Sequence, residues 1–222
     1  MNWSNLWTAT YETLLMTIIS SLLAYVIGIP LGVLLFMTSK NGPKPNKWVN
    51  IIVGGIVNIL RSVPCMLLII ILLPLTRSLL GRGTGAWYTM LIPLFFASFP
   101  FVSRMVEQSL SEVKKDEIEA LESMGASNLE LVKKVLVPES KPSLISGFSV
   151  STISILAYTS FAYDFGAGGL ISRAYSFYSA HSGNYLSFPN VWIIILIVLI
   201  IVQLIQELGL YIAHKVDKRK VN

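Results

Sequence analysis

Charge is what this chain has least of. Of its 222 residues 13% are charged and 54% are hydrophobic, with a mean hydropathy of +0.66. A soluble domain carries about a quarter of its residues as charges, so the deficit excludes an ordinary soluble fold. Cysteine is nearly absent. The lone Cys65 excludes an internal disulfide or a cysteine-rich metal site, and its place after Pro64 in an apolar run points to an inert buried thiol. His181 and His214 stand far apart without an HExxH-type neighbour, so no metal site is expected. The chain has no nucleophile–base constellation and no G-x-x-x-x-G-K-[ST] phosphate loop. It therefore reads as a non-enzyme that needs no cofactor and binds no ATP of its own. Residues 1–13 hold no basic residue, and Glu12 is their one charge, which excludes a secretory signal there. The net charge of +5 does not mark a nucleic-acid face, because the basic residues sit at the edges of apolar runs.

Those runs are what the sequence has in abundance. Residues 13–39, 83–103 and 142–163 carry no charge, and residues 48–76 carry only Arg61. A last uncharged run covers residues 182–206 and gives a span at about 184–206. Each is long enough to cross a hydrocarbon core of about 30 Å as a helix. Strand-like alternation is absent, so an all-α protein with about five transmembrane helices is expected, as one domain over residues 1–222. Thirteen Lys and Arg fall on one side, in the segments after the first and third spans and in the C-terminal tail, which includes Lys215, Lys218, Arg219 and Lys220. Three, Arg77, Arg82 and Arg173, fall on the other. The positive-inside rule then puts the N-terminus outside and the C-terminus in the cytoplasm.

One long polar stretch, residues 112–140, lies on the cytoplasmic side of that scheme. Asp116 is placed to cap a helix that Gly125 ends. Ser127-Asn128-Leu129-Glu130 matches a capping box opening a second helix, which Pro138 is expected to stop. Two short helices joined at Gly125-Ala126 would make a rigid knob able to dock in a groove of a soluble partner. A solvated loop with incidental helices remains the plain alternative.

Within this stretch Glu119-Ala120-Leu121, then Gly125, then Val135-Leu136-Val137-Pro138 resembles the EAA loop of bacterial ABC importer permeases, of the type I kind. The methionine-importer permeases are similar over nearly the whole chain. The likeness runs through Asn58-Ile59-Leu60-Arg61-Ser62-Val63-Pro64, Pro74-Leu75-Thr76-Arg77, Arg104-Met105-Val106-Glu107, Met124-Gly125-Ala126 and Gly166-Ala167-Gly168-Gly169-Leu170. The resemblance implies a homodimer forming the pathway for an amino acid, methionine first. It implies two ATPase subunits on the cytoplasmic side that bind the ATP, and an extracytoplasmic binding (lipo)protein that delivers solute at a cell membrane. Glu119, Ala120, Gly125, Ala126 and Pro138 are then the ATPase-coupling residues. Alternatives are a permease for another amino acid or a dipeptide and, from another class, a secondary transporter or channel. The latter predicts internal repeats and several ionisable residues in the spans.

Three residues are candidates for the pathway or its gate. Arg61 lies 13 residues into its run, about 20 Å along a straight helix. Exposing it to lipid at that depth costs about 2.5–3.5 kcal/mol, so it is expected to line the pathway or to cap carbonyls at a Pro64 kink. Phe161 reads as a hydrophobic gate or as ordinary packing. Asp164 reads as a partner of Arg61, a seat for a cationic group, or a residue facing headgroups. Relatives in the resembling family tend to carry small residues and a methionine where this chain has Phe161 to Asp164, a departure that bears on the solute.

Overall fold

The computed structural model describes residues 3–180 and 189–217, which contain helices and no strand. The helices in order are α1 Trp3–Thr38, α2 Lys47–Ser62, α3 Cys65–Leu80, α4 Leu91–Ser111, α5 Lys115–Ser123, α6 Asn128–Leu131, α7 Val137–Tyr158, α8 Gly169–Ala180 and α9 Pro189–Val216. A 3-10 turn at Trp87–Met90 leads into α4, a π turn at Val132–Leu136 joins α6 to α7, and a second 3-10 turn, Thr159–Tyr163, follows α7. His181, Lys218, Arg219, Lys220 and the first residues of the span expected at 184–206 lie outside the described residues.

Among the described residues, four stretches are long and apolar enough to cross a membrane: Trp3–Thr38, Trp87–Ser111, Asn128–Tyr163 and Asn190–Val216. A fifth crossing exists only as the pair α2 and α3, bent by 105°. One straight helix through 48–76 is therefore corrected to two of 16 residues each. Pro64 is the cause. It has no amide hydrogen to donate, and it drives Val63 out of the helical region; Pro64 itself sits at φ −54, ψ 135. At the other extreme, α1 begins ten residues before the uncharged run, because Leu6 and Ala9 are buried against Leu170 and Ile194.

Contacts within the chain fall into two compact units. The first comprises Met1–Leu23, Val63–Ser98 and Thr152–Gln206. It closes on a buried cluster of Met16, Ile69, Met90, Leu94, Ala162 and Ala167, with Cys65 and Phe161 packed at its edge. The turn into α8 is tied to α1 by two hydrogen bonds. The Gly169 amide donates to Glu12 Oε2 and the Leu170 amide to Thr13 Oγ1, each at 2.9 Å. Glu12 thus satisfies an amide at the first turn of α8 and places a negative charge at the positive end of its dipole. Gly168 needs to be glycine twice over: its φ is +80, and a Cβ there would run into the Glu12 carboxylate.

The second unit comprises Ala24–Ser62, Phe99–Ser151 and Glu207–Asn222. Its helices approach closely over small residues. A Cβ on Gly32 would lie 2.5 Å from the Ser103 carbonyl oxygen and 2.6 Å from Val106 Cβ, and one on Gly28 would lie 2.6 Å from Val102 Cγ1. The pair, one turn apart on α1, is the small-xxx-small contact that membrane helices use in place of a hydrophobic driving force. Tyr25 of α1 donates to the Phe148 carbonyl of α7 at 2.7 Å, and Asn50 of α2 donates to the Leu35 carbonyl of α1 at 2.9 Å.

Candidate functional site

The knob is built almost wholly from short-range contacts. Helix α5 is preceded by Lys114, whose backbone is extended, and no side chain caps it. Asp116 lies inside the first turn, so its expected role as the cap is corrected; there, with Glu117, it still favours the helix dipole. Lys115 and Glu119 form an ion pair at 3.1 Å, both side chains well exposed. Ile118 faces inward and is buried. Gly125 ends the helix at φ +77 with open space around it, so the dihedral rather than crowding calls for glycine. The Ala126 amide reaches back to the Leu121 carbonyl at 3.4 Å.

The capping box expected at residues 127–130 is present. The Glu130 amide donates to Ser127 Oγ at 3.3 Å, and the Ser127 amide donates to Glu130 Oε2 at 3.0 Å. Lys134 Nζ adds a hydrogen bond to Glu130 Oε1 at 2.8 Å. The Lys134 ammonium first, and the Ser127 amide and hydroxyl after it, hold the Glu130 carboxyl down at about 2. Pro138 does not stop the second helix, contrary to expectation. The chain continues through the π turn into α7, with Pro138 second in that helix, where the widened turn before it relieves the clash of its ring with the preceding carbonyls. The same wide turn lets Leu131 and Leu136 both be buried although they are five residues apart. What the knob shows to solvent is Ala120, the Gly125 turn, Met124 at 82% exposure and Leu129 at 63%. Exposed apolar side chains on a capped, charged scaffold make a surface suited to burial in a partner's groove.

Beside the knob, the second unit contains a polar cross-brace that reading the sequence missed. Arg104 of α4 donates through Nη1 to Glu107 Oε2 at 2.6 Å. Through Nη2 it donates to the Gly54 carbonyl at 3.1 Å and to Asn58 Oδ1 at 2.9 Å, both on α2. A Cβ on Gly54 would lie 3.1 Å from Arg104 Nη2, so the small residue admits the guanidinium. Asn50, Gly54, Asn58 and Arg61 fall on one stripe of α2 at helical spacing, while Trp48, Ile51, Ile52, Ile56 and Ile59 are exposed on the adjoining face. The signal was legible in principle: three polar residues and a glycine at spacings of three and four inside an apolar run.

Arg61 lies in the last turn of α2, exposed, on the wall of a cavity of about 710 Å³. Lys40, Arg104, Glu107 and Lys115 line the same cavity. Phe161 belongs to the first unit, where it packs on the Met16–Leu94 cluster from the 3-10 turn after α7. Asp164 is exposed in that unit, and its amide donates to the Phe161 carbonyl at 3.2 Å. Neither Arg61 nor Asp164 enters an ion pair among the described residues, and the two belong to different units.

This arrangement matches known proteins along its length. Residues 24–217 match the family described as binding-protein-dependent transport system inner membrane component. The methionine import system permease protein MetP of Bacillus subtilis is 44% identical over 217 residues, covering 97% of this chain and 95% of that protein. The probable D-methionine transport system permease protein MetI of Haemophilus influenzae is 35% identical over 218 residues, covering 98% and 100%. Among solved structures, an inward-facing conformation of the MetNI methionine ABC transporter superposes with a TM-score of 0.91 at 34% identity, covering 98% of each chain. An amino acid ABC transporter solved with histidines, at 16% identity and a TM-score of 0.76, shares the fold.

Proposed function

Because the chain belongs to the family of binding-protein-dependent transport system inner membrane components and is a permease subunit of an ABC importer, we propose that two copies of it form the transmembrane pathway for methionine. Its N-terminus lies outside and its C-terminus in the cytoplasm, and residues 1–222 act as a single transmembrane domain. Two ATPase subunits bind the ATP below it, and an extracytoplasmic binding protein supplies the solute from above. The chain makes and breaks no bond. It offers two shapes of a pathway, and nucleotide binding on the partner changes which one is populated.

The observation that carries the choice of solute is the 44% identity to a methionine import permease over nearly both full lengths. The knob supports the coupling role. Glu119 pairs on the surface of α5, Ala120 leaves room for close approach, Gly125 and Ala126 set the turn, and Pro138 stands where the knob runs into α7. Reconstitution of the permease with its ATPase and binding protein should give ATP-dependent uptake of labelled methionine. Glu119→Lys should abolish uptake while the complex still forms. Uptake of another amino acid or a dipeptide with methionine excluded would move the solute; full transport by Glu119→Lys would remove the knob from coupling.

A further inference from the structure

We propose that Glu12 is a positioning residue for transport: its carboxylate latches the turn between α7 and α8, and releases it when the extracytoplasmic end of the first unit opens. That turn brings Ala162 and Ala167 into the Met16–Leu94 cluster and packs Phe161 and Phe165 on its edge. It closes on itself where the Ala167 amide donates to the Ala162 carbonyl at 2.8 Å and the Gly166 amide to the Tyr163 carbonyl at 2.9 Å. It is tied to its neighbours where the Gly85 amide donates to the Phe165 carbonyl at 3.0 Å, and where the Gly169 and Leu170 amides donate to Glu12 and Thr13. Met16 is one turn on from Glu12, and its Cε lies 3.2 Å from the place a Cβ on Gly169 would take. One face of α1 therefore holds both the turn and the cluster beneath it.

A tie that only had to satisfy an amide needs no charge. Thr13 does as much for Leu170 with a neutral hydroxyl, at the same 2.9 Å. Glu12 is the one charged side chain before Lys40, and a carboxylate at the edge of an apolar span is costly unless it is held. What a carboxylate adds is a second place to go. Glu12 lies on the wall of a polar cavity of about 230 Å³ together with Asn5, Thr8, Ser172 and Arg173. Arg173 is half-buried there and enters no ion pair among the described residues. The carboxylate can therefore exchange the Gly169 amide for the guanidinium without being left bare. The backbone can follow, because Gly168 and Gly169 both sit at positive φ, where glycine moves between wells at little cost. A latch with two seats and a glycine hinge is a two-state element, which a neutral staple is not. The assignment rests on the importer reading and the orientation proposed above.

The chain's single cysteine reads the latch without a solute. Cys65 is half-buried and packs on the cluster that the turn helps to build. The permease–ATPase complex is placed in proteoliposomes, and a charged methanethiosulfonate is added on the face opposite the ATPase. Labelling of the permease is read by mass spectrometry. Wild-type Cys65 should label slowly without nucleotide and faster when ATP is trapped on the ATPase. Glu12→Leu should label roughly tenfold faster without nucleotide, the shift that loss of one charge-assisted hydrogen bond gives. Arg173→Gln should do the reverse and stay slow with ATP trapped. Glu12→Gln keeps an acceptor for the Gly169 amide and loses the charge for Arg173, so it too should stay slow in both states. Tyr11→Phe, at an exposed neighbour on α1, should follow the wild type. A plain structural contact would loosen Cys65 in every one of the Glu12 and Arg173 variants, so faster labelling in both Glu12→Leu and Arg173→Gln overturns the proposal. Equal labelling of wild type and Glu12→Leu overturns it as well. Wild type that imports methionine with Cys65 indifferent to nucleotide strikes the latch alone, and responsive labelling without methionine uptake strikes the choice of solute alone.

Discussion

Two polar assemblies of the second unit are made in opposite ways. The knob closes on itself: Lys115 to Glu119, Ser127 to Glu130 and Glu130 to Lys134 all lie within four residues of each other. The cross-brace closes across the chain, from Arg104 to Gly54 fifty residues away and to Asn58 forty-six residues away. Short-range closure gives a body that keeps its shape wherever it is carried. Long-range closure gives helices that keep their distance from each other. The coupling role proposed above would use both, a stiff handle and a frame that resists being pulled apart.

The comparison breaks most visibly at Arg104. Arg104→Met removes charge-assisted bonds to three acceptors from a side chain only a quarter exposed, and should lower stability by about 1.5–3 kcal/mol. Thermal melting in detergent reads it, and a cycle with Asn58→Leu should return a coupling of about 1 kcal/mol between the two. No coupling would mean that α2 and α4 are held by packing alone. Next comes Gly125→Val, which forces a branched side chain into the left-handed region at a cost of about 1–2 kcal/mol. That strain is confined to the knob, so melting of the permease should hardly move while ATP-driven uptake fails. An equal drop in melting temperature for the two variants would erase the distinction.

The smallest effect is at Glu130. Its carboxyl is held down at about 2 against an ordinary value of 4.5. The folded knob therefore refuses a proton that the unfolded chain accepts. Its contribution is complete above about pH 4.5 and is lost as pH falls toward about 2. A carbon-13 titration of the Glu130 side chain should find the low midpoint, and Lys134→Met should raise it, with the Ser127 hydrogen bonds still holding it below the ordinary value.

The same contrast decides what could be read in the sequence. Ser127 and Glu130 announce a helix start because both partners sit in one window, and Gly125 announces a turn for the same reason. The five apolar runs were legible because span length is a property of the run itself. Arg104 was visible only as part of a familiar string, since nothing local says that its guanidinium crosses to Gly54. The bend at Pro64 was underestimated, because a kink and a 105° break look alike in sequence. Arg61 stands in the last turn before that break, so the count of residues from Trp48 to Arg61 still runs along one helix. Glu12 was noticed as a lone charge, yet its role at α8 depends on a glycine turn 157 residues downstream.

The π turn at Val132–Leu136 has a mechanical consequence. With no coil between α6 and α7, residues 128–151 run as one helical strut within the second unit. An α-helix turns by about 100° per residue, so the extra residue of a wide turn works as a crank: it offsets the knob's faces from those of the span above. Removing one residue from the turn would keep the strut whole and spin the handle around its axis.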